Sequence, residues 1–523
     1  MQSRLFLWSI TSALAGFLFG FDTVVISGAE QKIQSLWGLS PELHGVAMGA
    51  ALYGTVVGSL LGGWPTDRFG RKATLTFVGL LYLVSAVGCA FSWNVASFAA
   101  ARFVGGLGIG VSTVAAPLYI SEIAPPAYRG RLAGMFQFNI VFGILVAFAS
   151  NAALAGVGEH AWRWMLGVAA FPSIVYTAMC FGLPESPRWL IGRKGDRAAG
   201  VDVLRLIEPE ASPAQLDAHA DAILAASSGG AAASRFWTWR LRVPIALAFL
   251  IAFFNQLSGI NAVLYFAPRI FGLTGSENAL AQSVGIGVTN LIFTFVGLRL
   301  IDRLGRRTLL FIGSVGYILS LGLCAAAFFA WAPAFRAASA AVDVKAAVAG
   351  LSAANPARVA PLTRELEAKK GVLIAAAAVP ASGAEPVRLA PDAGLEAVRA
   401  AANAALRQAS RAAGPGGLLV LVGIFAFIAS HAIGQGAVIW VFISEIFPNR
   451  HRAEGQALGS ATHWVFAALL TTFFPLMLAA LAPGYVFCIF CGMMVLQLLW
   501  VKGMVPETKG VPLEEMQKRL GIA

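Results

Sequence analysis

The chain has 523 residues, of which 58% are hydrophobic and only 12% charged, about half the charged share of a soluble domain, so a water-soluble globular fold is excluded in favour of a polytopic membrane protein. Its 38 lysines and arginines exceed its 26 acids by 12, but the basic residues gather in short loops between apolar runs, which reports topology and not a nucleic-acid partner. The five cysteines all lie in apolar runs and read as small buried hydrophobes, including the Cys488-x-x-Cys491 pair, which has no metal-ligand residues beside it.

Apolar runs of bilayer length begin near Leu5, His44, Ala73, Val95, Leu132, Trp162, Leu241, Ala279, Leu309, Gly417, Gly455 and Tyr485, which predicts an all-α fold of twelve transmembrane helices. The first run is longer than a signal-peptide core and is followed by more spans, so it is read as retained. Within it, in the stretch GFDTVVIS, Asp22 is the sole formal charge between Leu5 and Gly28. A lone charge near mid-membrane costs roughly 2.5 to 3.5 kcal/mol on insertion scales. Asp22 therefore faces a cavity or a partner, snorkels to the surface, or is kept neutral.

Arg102, opening RFVGGLGIG, is the other charge well inside a first-half span. An acid and a base that are each costly alone become tolerable as a pair, and protonating Asp22 would break it; a static structural ion pair is the competing reading. The glycines Gly105, Gly106, Gly108 and Gly110, with Gly54, Gly58 and Gly62 in GTVVGSLLGG, sit in apolar helices. They read as surfaces for close helix packing and not as a nucleotide loop.

The basic segments TDRFGRK (66–72), PPAYRGR (125–131), PRWLIGRKGDR (187–197), DRLGRR (302–307) and PNRHR (448–452) fall on one side of the predicted spans. That side is expected to be cytoplasmic, together with both termini. In the seventh span Asn255, Gln256 and Asn261 form an uncharged polar cluster, suited to hydroxyl groups on a solute.

Three segments occur twice. DRFGRKATL at Asp67 returns as DRLGRRTLL at Asp302, an offset of 302 minus 67, or 235 positions. SEIAPPAYRG at Ser121 returns as SEIFPNRHRA at Ser444, offset by 444 minus 121, or 323, and PESP at Pro184 returns as PETK at Pro506, offset by 322. Two six-span halves, with an insertion in the second, account for the jump. The expected organisation is a first bundle over 1–186, a helical linker over 187–240, the second bundle over 241–332 and 416–505, an insert over 333–415 and a tail over 506–523. The insert carries PLTRELEAKKGVLIAAAA and AGLEAVRAAANAALRQA, whose composition favours helix, and is expected on the extracytoplasmic face.

Taken together, GFDTVVISGA, DRFGRK, RFVGGLGIGVSTVAAPLYISEIAPPAYRGR, PESPRWL, QLSGINAVLYFAP, DRLGRR, ISEIFP and PETKG resemble the sugar porter family of the major facilitator superfamily, which includes bacterial proton-coupled sugar symporters and animal facilitative glucose transporters. The resemblance implies two six-helix bundles, a central sugar site and alternating access in the cell (inner) membrane. It implies that Asp22 and Arg102 couple the proton, that Gln137, Gln256, Asn261, Asn290 and Trp440 contact sugar with Asn255 beside them, and that Tyr265 gates. Asn255 stands where many relatives carry Gln, His463 where they often carry Asn, and GQGAVIW where they often have prolines, which puts the particular sugar and the flexibility of the tenth helix in doubt.

Glu122 and Arg129 are seven residues apart, as are Glu445 and Arg452. With Glu185, Arg188, Arg71 and Arg306 they are expected to make ion pairs closing the cytoplasmic side; topology signals and solvated charges are the plainer reading. The function expected from all this is import of a neutral monosaccharide with a proton, the alternatives being an uncoupled sugar or polyol facilitator and a non-transporting sugar sensor. No cofactor, metal, nucleic acid or obligate protein partner is expected, and the spans hold no constellation suited to an enzyme.

Overall fold

The computed structural model describes residues 3–124, 129–228, 235–352, 356–378, 388 and 393–522. Twelve helical spans long and apolar enough to cross a bilayer run over Arg4–Gly28, Pro41–Leu61, Arg71–Ala90, Val95–Ile123, Gly134–Leu154, Ala161–Phe181, Trp239–Tyr265, Ala279–Leu304, Arg306–Ala330, Gly416–Ile446, Arg452–Ala480 and Pro483–Met504. Local sequence sets many of their ends. Ser40 caps the second span ahead of Pro41 at its first position, and Asn94 and Ser97 form a reciprocal capping box at the start of the fourth, each satisfying amides that the helix leaves unpaired.

The halves are built alike. The first span packs on the fifth, the second on the fourth and the third on the sixth, as the seventh packs on the eleventh, the eighth on the tenth and the ninth on the twelfth. Glycines make the seams: a Cβ on Gly54 would strike the Phe103 carbonyl, one on Gly106 the Ala51 carbonyl, and one on Gly20 the Ile140 carbonyl. In lipid, where apolar surface between helices gives no hydrophobic driving force, such backbone approach supplies the van der Waals contact. The repeated loops match in detail. Gly70 and Gly305 both turn at φ +91, and Glu185 Oε1 accepts from the Arg71 amide at 2.8 Å as Glu507 Oε1 accepts from Arg306 at 2.8 Å.

Three spans are interrupted: the sixth between Ala161–Gly167 and Ala170–Phe181, the seventh and the tenth. The seventh stops at Leu257, turns through Gly259 at φ +87, and resumes over Ile260–Tyr265. The tenth stops at Ile433 and resumes at Gln435 after Gly434. The tenth helix thus keeps its interruption without the prolines, because Gly434 lies against Gly313 on the ninth span, where a Cβ would come within 2.9 Å of the Gly313 Cα.

The halves meet on the side away from the linker. Gly45 and Gly49 abut Thr472, whose Oγ1 pairs with the Tyr53 hydroxyl at 2.8 Å, and a Cβ on Gly287 would come within 2.7 Å of the Leu145 Cα. These contacts join the second span to the eleventh and the fifth to the eighth. The linker helices, Arg197–Ile207 and Pro213–Ser228 among them, gather their own small core of Ile191, Leu204, Leu216, Ala220 and Ile223.

Between the ninth and tenth spans stand three helices, Ala332–Ser352, Pro356–Ala377 and Leu395–Ala413. They bury Val344, Leu373, Val398 and Ala402 in a core separate from that of the spans. Ala338 packs on Gly275, and Lys345 pairs with Glu277, both beyond the seventh span. Since the insert supplies its own core, deleting residues 342–409 is expected to leave the twelve-span bundle membrane-inserted and monodisperse in size-exclusion chromatography. Aggregation or failure to insert would show instead that the bundle needs it.

Candidate functional site

Between the first and fourth spans, Asp22 is 5% exposed and Arg102 1%. Arg102 Nη1 donates to Asp22 Oδ1 at 3.0 Å and its Nη2 to the Asp22 backbone carbonyl at 3.1 Å. The carboxylate is therefore neither snorkelling nor alone. Gly105, one turn along from Arg102, keeps the space beside Asp22 Oδ2 free of a side chain. Oδ2 itself and Arg102 Nε have no hydrogen-bond partner among the described residues. Tyr265, fully buried at the end of the broken seventh span, lies beside this pair from the other half and interacts with both Arg102 and Asp22.

The polar break of the seventh span gathers the predicted amides into one chain of hydrogen bonds. Asn261 Nδ2 donates to Gln256 Oε1 at 2.8 Å, and Gln256 Nε2 donates to Asn255 Oδ1 at 3.0 Å. The same Gln256 nitrogen lies 3.1 and 3.2 Å from the two ring nitrogens of His463 on the eleventh span. The His463 ring in turn faces Trp440 at 5.4 Å and Trp464 at 4.7 Å between centroids. Phe19 of the first half closes on Trp464 at 5.5 Å, so aromatic rings from both halves flank the amides. Asn290 is buried on the eighth span and Gln137 half-buried on the fifth; neither joins this hydrogen-bonded chain.

Uncharged donors and acceptors beside aromatic faces are what a polyhydroxylated solute needs, the amides for hydroxyls and the rings for C–H faces. The sequence marked His463 as a departure from pattern but gave no sign that it would hold Gln256. A second histidine, His431, accepts or donates at 2.6 Å with the Tyr317 hydroxyl; its signal was a polar ring in an otherwise apolar tenth span.

The linker-side charges divide by half. Arg71 Nε and Nη2 donate to Glu122 at 2.8 Å each, and Arg306 Nε and Nη2 donate to Glu445 at 3.1 and 2.8 Å. Glu185 caps the Arg71 and Lys72 amides; burial raises its pKa against those donors. Each contact joins elements of one half, and none of them bridges the two. Arg188 and Arg452 are exposed, and the second partner of Glu445 is the Thr508 hydroxyl at 2.6 Å. The Arg129 side chain lies outside the described residues.

On the opposite side the sequence reading missed a bridge between the halves. Glu30, just beyond the first span, is 0% exposed and accepts from Arg269 Nη2 at 2.7 Å and Nε at 3.0 Å, with His44 Nε2 at 2.9 Å. Arg269 Nη2 also donates to Gln34 Oε1 at 2.6 Å. Burial acts to raise the pKa of Glu30, but the Arg269 charge and the hydrogen bonds from His44 and Arg269 outweigh it and hold the carboxyl below its usual range.

The chain matches the family model of the sugar (and other) transporters over residues 8–351 and 399–520, so the break in the match falls within the insert. It is 29% identical over 518 residues to the arabinose-proton symporter of Bacillus subtilis (strain 168), covering 98% of this chain and 94% of that one. It is 27% identical over 558 residues to the D-xylose-proton symporter of Escherichia coli (strain K12), covering 99% and 96%. The inward-open structure of the xylose transporter from E. coli superposes with a TM-score of 0.73 at 26% identity, covering 98% of this chain and 99% of that one.

Removing one partner from a buried charge pair costs about 3 to 5 kcal/mol, so Arg269→Gln and Glu30→Gln are each expected to loosen the side away from the linker. Spin labels at Leu43 and Ala480 would report this as a larger share of long distances, with the double variant no looser than either single one. Because the Glu30 pKa is lowered, its contribution is fully present above the ordinary carboxylate value of about 4.3 and is lost as pH falls through the lower folded value. The wild-type distances are therefore expected to hold steady from pH 8 to 5.

Proposed function

We infer the function from one premise, that the chain belongs to the sugar porter family of the major facilitator superfamily: it is a membrane transporter of sugars and not an enzyme, and we propose that it imports a neutral monosaccharide with one proton by alternating access. The observation that carries the proton is the buried Asp22–Arg102 pair set beside the amide cluster. The relatives named as arabinose-proton and D-xylose-proton symporters support coupling. On this reading the linker side faces the cytoplasm of a cell whose inner membrane holds the protein.

The proposed cycle follows from the geometry. With Asp22 ionised, Arg102 is neutralised in place and the first and fourth spans are held together. A proton arriving on Asp22 Oδ2, the carboxylate oxygen without a partner among the described residues, removes the charge that Arg102 needs. Arg102 is then free to turn toward Tyr265, which lies on the same broken segment as Asn261. Gln256, Asn261 and the Trp440 ring bind the sugar, and His463 fixes the Gln256 amide between them. Proton state in one half is thereby linked to sugar occupancy in the other. Uncharged amides and rings around the sugar position favour a neutral solute.

Reconstituted vesicles with an imposed pH gradient test this. At one proton per sugar each pH unit is worth about 1.4 kcal/mol, which supports roughly tenfold accumulation. Asp22→Asn is expected to abolish accumulation and its pH dependence while leaving counterflow exchange of sugar; wild-type accumulation in that variant would refute coupling through Asp22. An uncoupled facilitator predicts no accumulation in the wild type either, and a sensor predicts binding without counterflow.

Gln256→Ala and Asn261→Ala are each expected to weaken sugar binding by about 0.5 to 1.5 kcal/mol, or more where a buried group loses its partner. Unchanged affinity in both, measured by calorimetry on purified protein, would place the sugar elsewhere.

A further inference from the structure

On the linker side, at the start of the seventh span, a groove of about 540 Å³ is lined by Trp237, Trp239, Arg242, Ile245, Phe249 and Leu458 among others. It lies on the lipid-facing rim of the second half, away from the charge pair, the amide cluster and the contact between halves. Its floor is aliphatic and aromatic and continues along the seventh and eleventh spans. Its mouth is different. Trp237 and Trp239 are 71% and 78% exposed, the position at a membrane surface where amphipathic rings settle. The Arg242 guanidinium is stacked 4.0 Å from the Trp239 ring centroid, an arrangement that fixes a cation without neutralising it.

No acid answers that cation. Arg242 has no carboxylate partner among the described residues, and Arg235 and Arg240 beside it are exposed too. Arg242 also opens the helix Arg242–Leu257, whose first turn holds no acidic residue. A positive charge there adds to the positive end of the helix and is unfavourable unless an anion sits against both. The segment itself is held in place, since Phe236 is buried against Phe447 at 5.6 Å between ring centroids.

We propose that this groove binds one anionic phospholipid, its phosphate on the Arg242 guanidinium and its acyl chain along Ile245, Phe249 and Leu458. Charge complementarity selects the lipid: a zwitterionic phospholipid fits the apolar groove but brings its own cation to a mouth that already holds an uncompensated one. A soluble phosphate fits the mouth but gains nothing from the groove. The lipid would pin the joint between the linker and the second half, where the seventh span packs on the eleventh.

Native mass spectrometry of the full-length protein in detergent, titrated with phosphatidylglycerol or with phosphatidylcholine of the same acyl chains, tests the site. The wild type is expected to bind phosphatidylglycerol more tightly. Arg242→Gln is expected to weaken phosphatidylglycerol by about fivefold, the worth of one arginine against an anionic lipid surface, and to leave phosphatidylcholine unchanged. Arg242→Lys, which keeps the charge, should retain the preference, and Trp239→Ala should weaken both lipids. Glycerol phosphate in excess should displace nothing. Equal binding of the two lipids by the wild type, an unaltered preference in Arg242→Gln, or displacement by glycerol phosphate would each overturn the proposal.

Discussion

A charge held in hydrocarbon must find its partner inside the protein, and the Asp22–Arg102 pair is where that constraint bears hardest. Around the 3.0 Å contact between an acid on the first span and a base on the fourth, the helices approach nearly backbone to backbone. The glycine seams do this: Gly20 against the fifth span, Gly54 and Gly106 between the second and fourth, and Gly105 beside the carboxylate itself. A side chain added at any of these would push the pair apart or push a neighbour out. The first half is thus organised around a charge, and its packing follows from the need to keep that charge matched.

The second half repeats the architecture but not the chemistry. Where the repeat offset would place a counterpart of Asp22, near position 257, the chain carries Asn255, Gln256 and Asn261. Their hydrogen bonds to one another and to His463 satisfy polar groups that would otherwise be orphaned in an interrupted helix. An amide chain of this kind can exchange partners with a solute at little net cost, because each bond lost is replaced by another of similar strength. A buried ion pair cannot do the same without a change of protonation. On the proposed cycle one half holds the proton and the other the sugar, with Tyr265 at the boundary.

Much of this was legible in the sequence because membrane constraints act locally. Span length, loop charge and the cost of a lone carboxylate each depend on a short stretch, so the twelve spans and the Asp22–Arg102 pair could be read from hydropathy and charge alone. The Glu30–Arg269 bridge could not. Its members are 239 positions apart, they lie at span ends where charges are ordinary, and their pairing is a property of how two bundles meet. The seven-residue spacing of Glu445 and Arg452 does not itself bring the two together. The chain turns at Pro448 and runs through a 3-10 turn over Asn449–His451, so helical periodicity does not carry across it and Glu445 turns instead to Arg306 and Thr508. His463 was visible as an exception, but an exception in residue type does not reveal its partner.

The contact between the halves combines two kinds of force with different costs of separation. The second and eleventh spans touch through glycines and Thr472, a neutral surface of dispersion contacts that are individually weak and add up over its length. The Glu30–Arg269 pair is stronger, and its carboxylate is wholly buried. Its separation would strand a buried carboxylate were Glu30 not also bonded to His44 at 2.9 Å. His44 lies on the second span, in the same half as Glu30, so that hydrogen bond does not depend on the other half. Arg269, 23% exposed at its side chain, already reaches toward water. When such a closure parts, the partner that leaves the ion pair is the one most easily hydrated, which is the condition for a membrane protein to open on one side without exposing an unmatched charge.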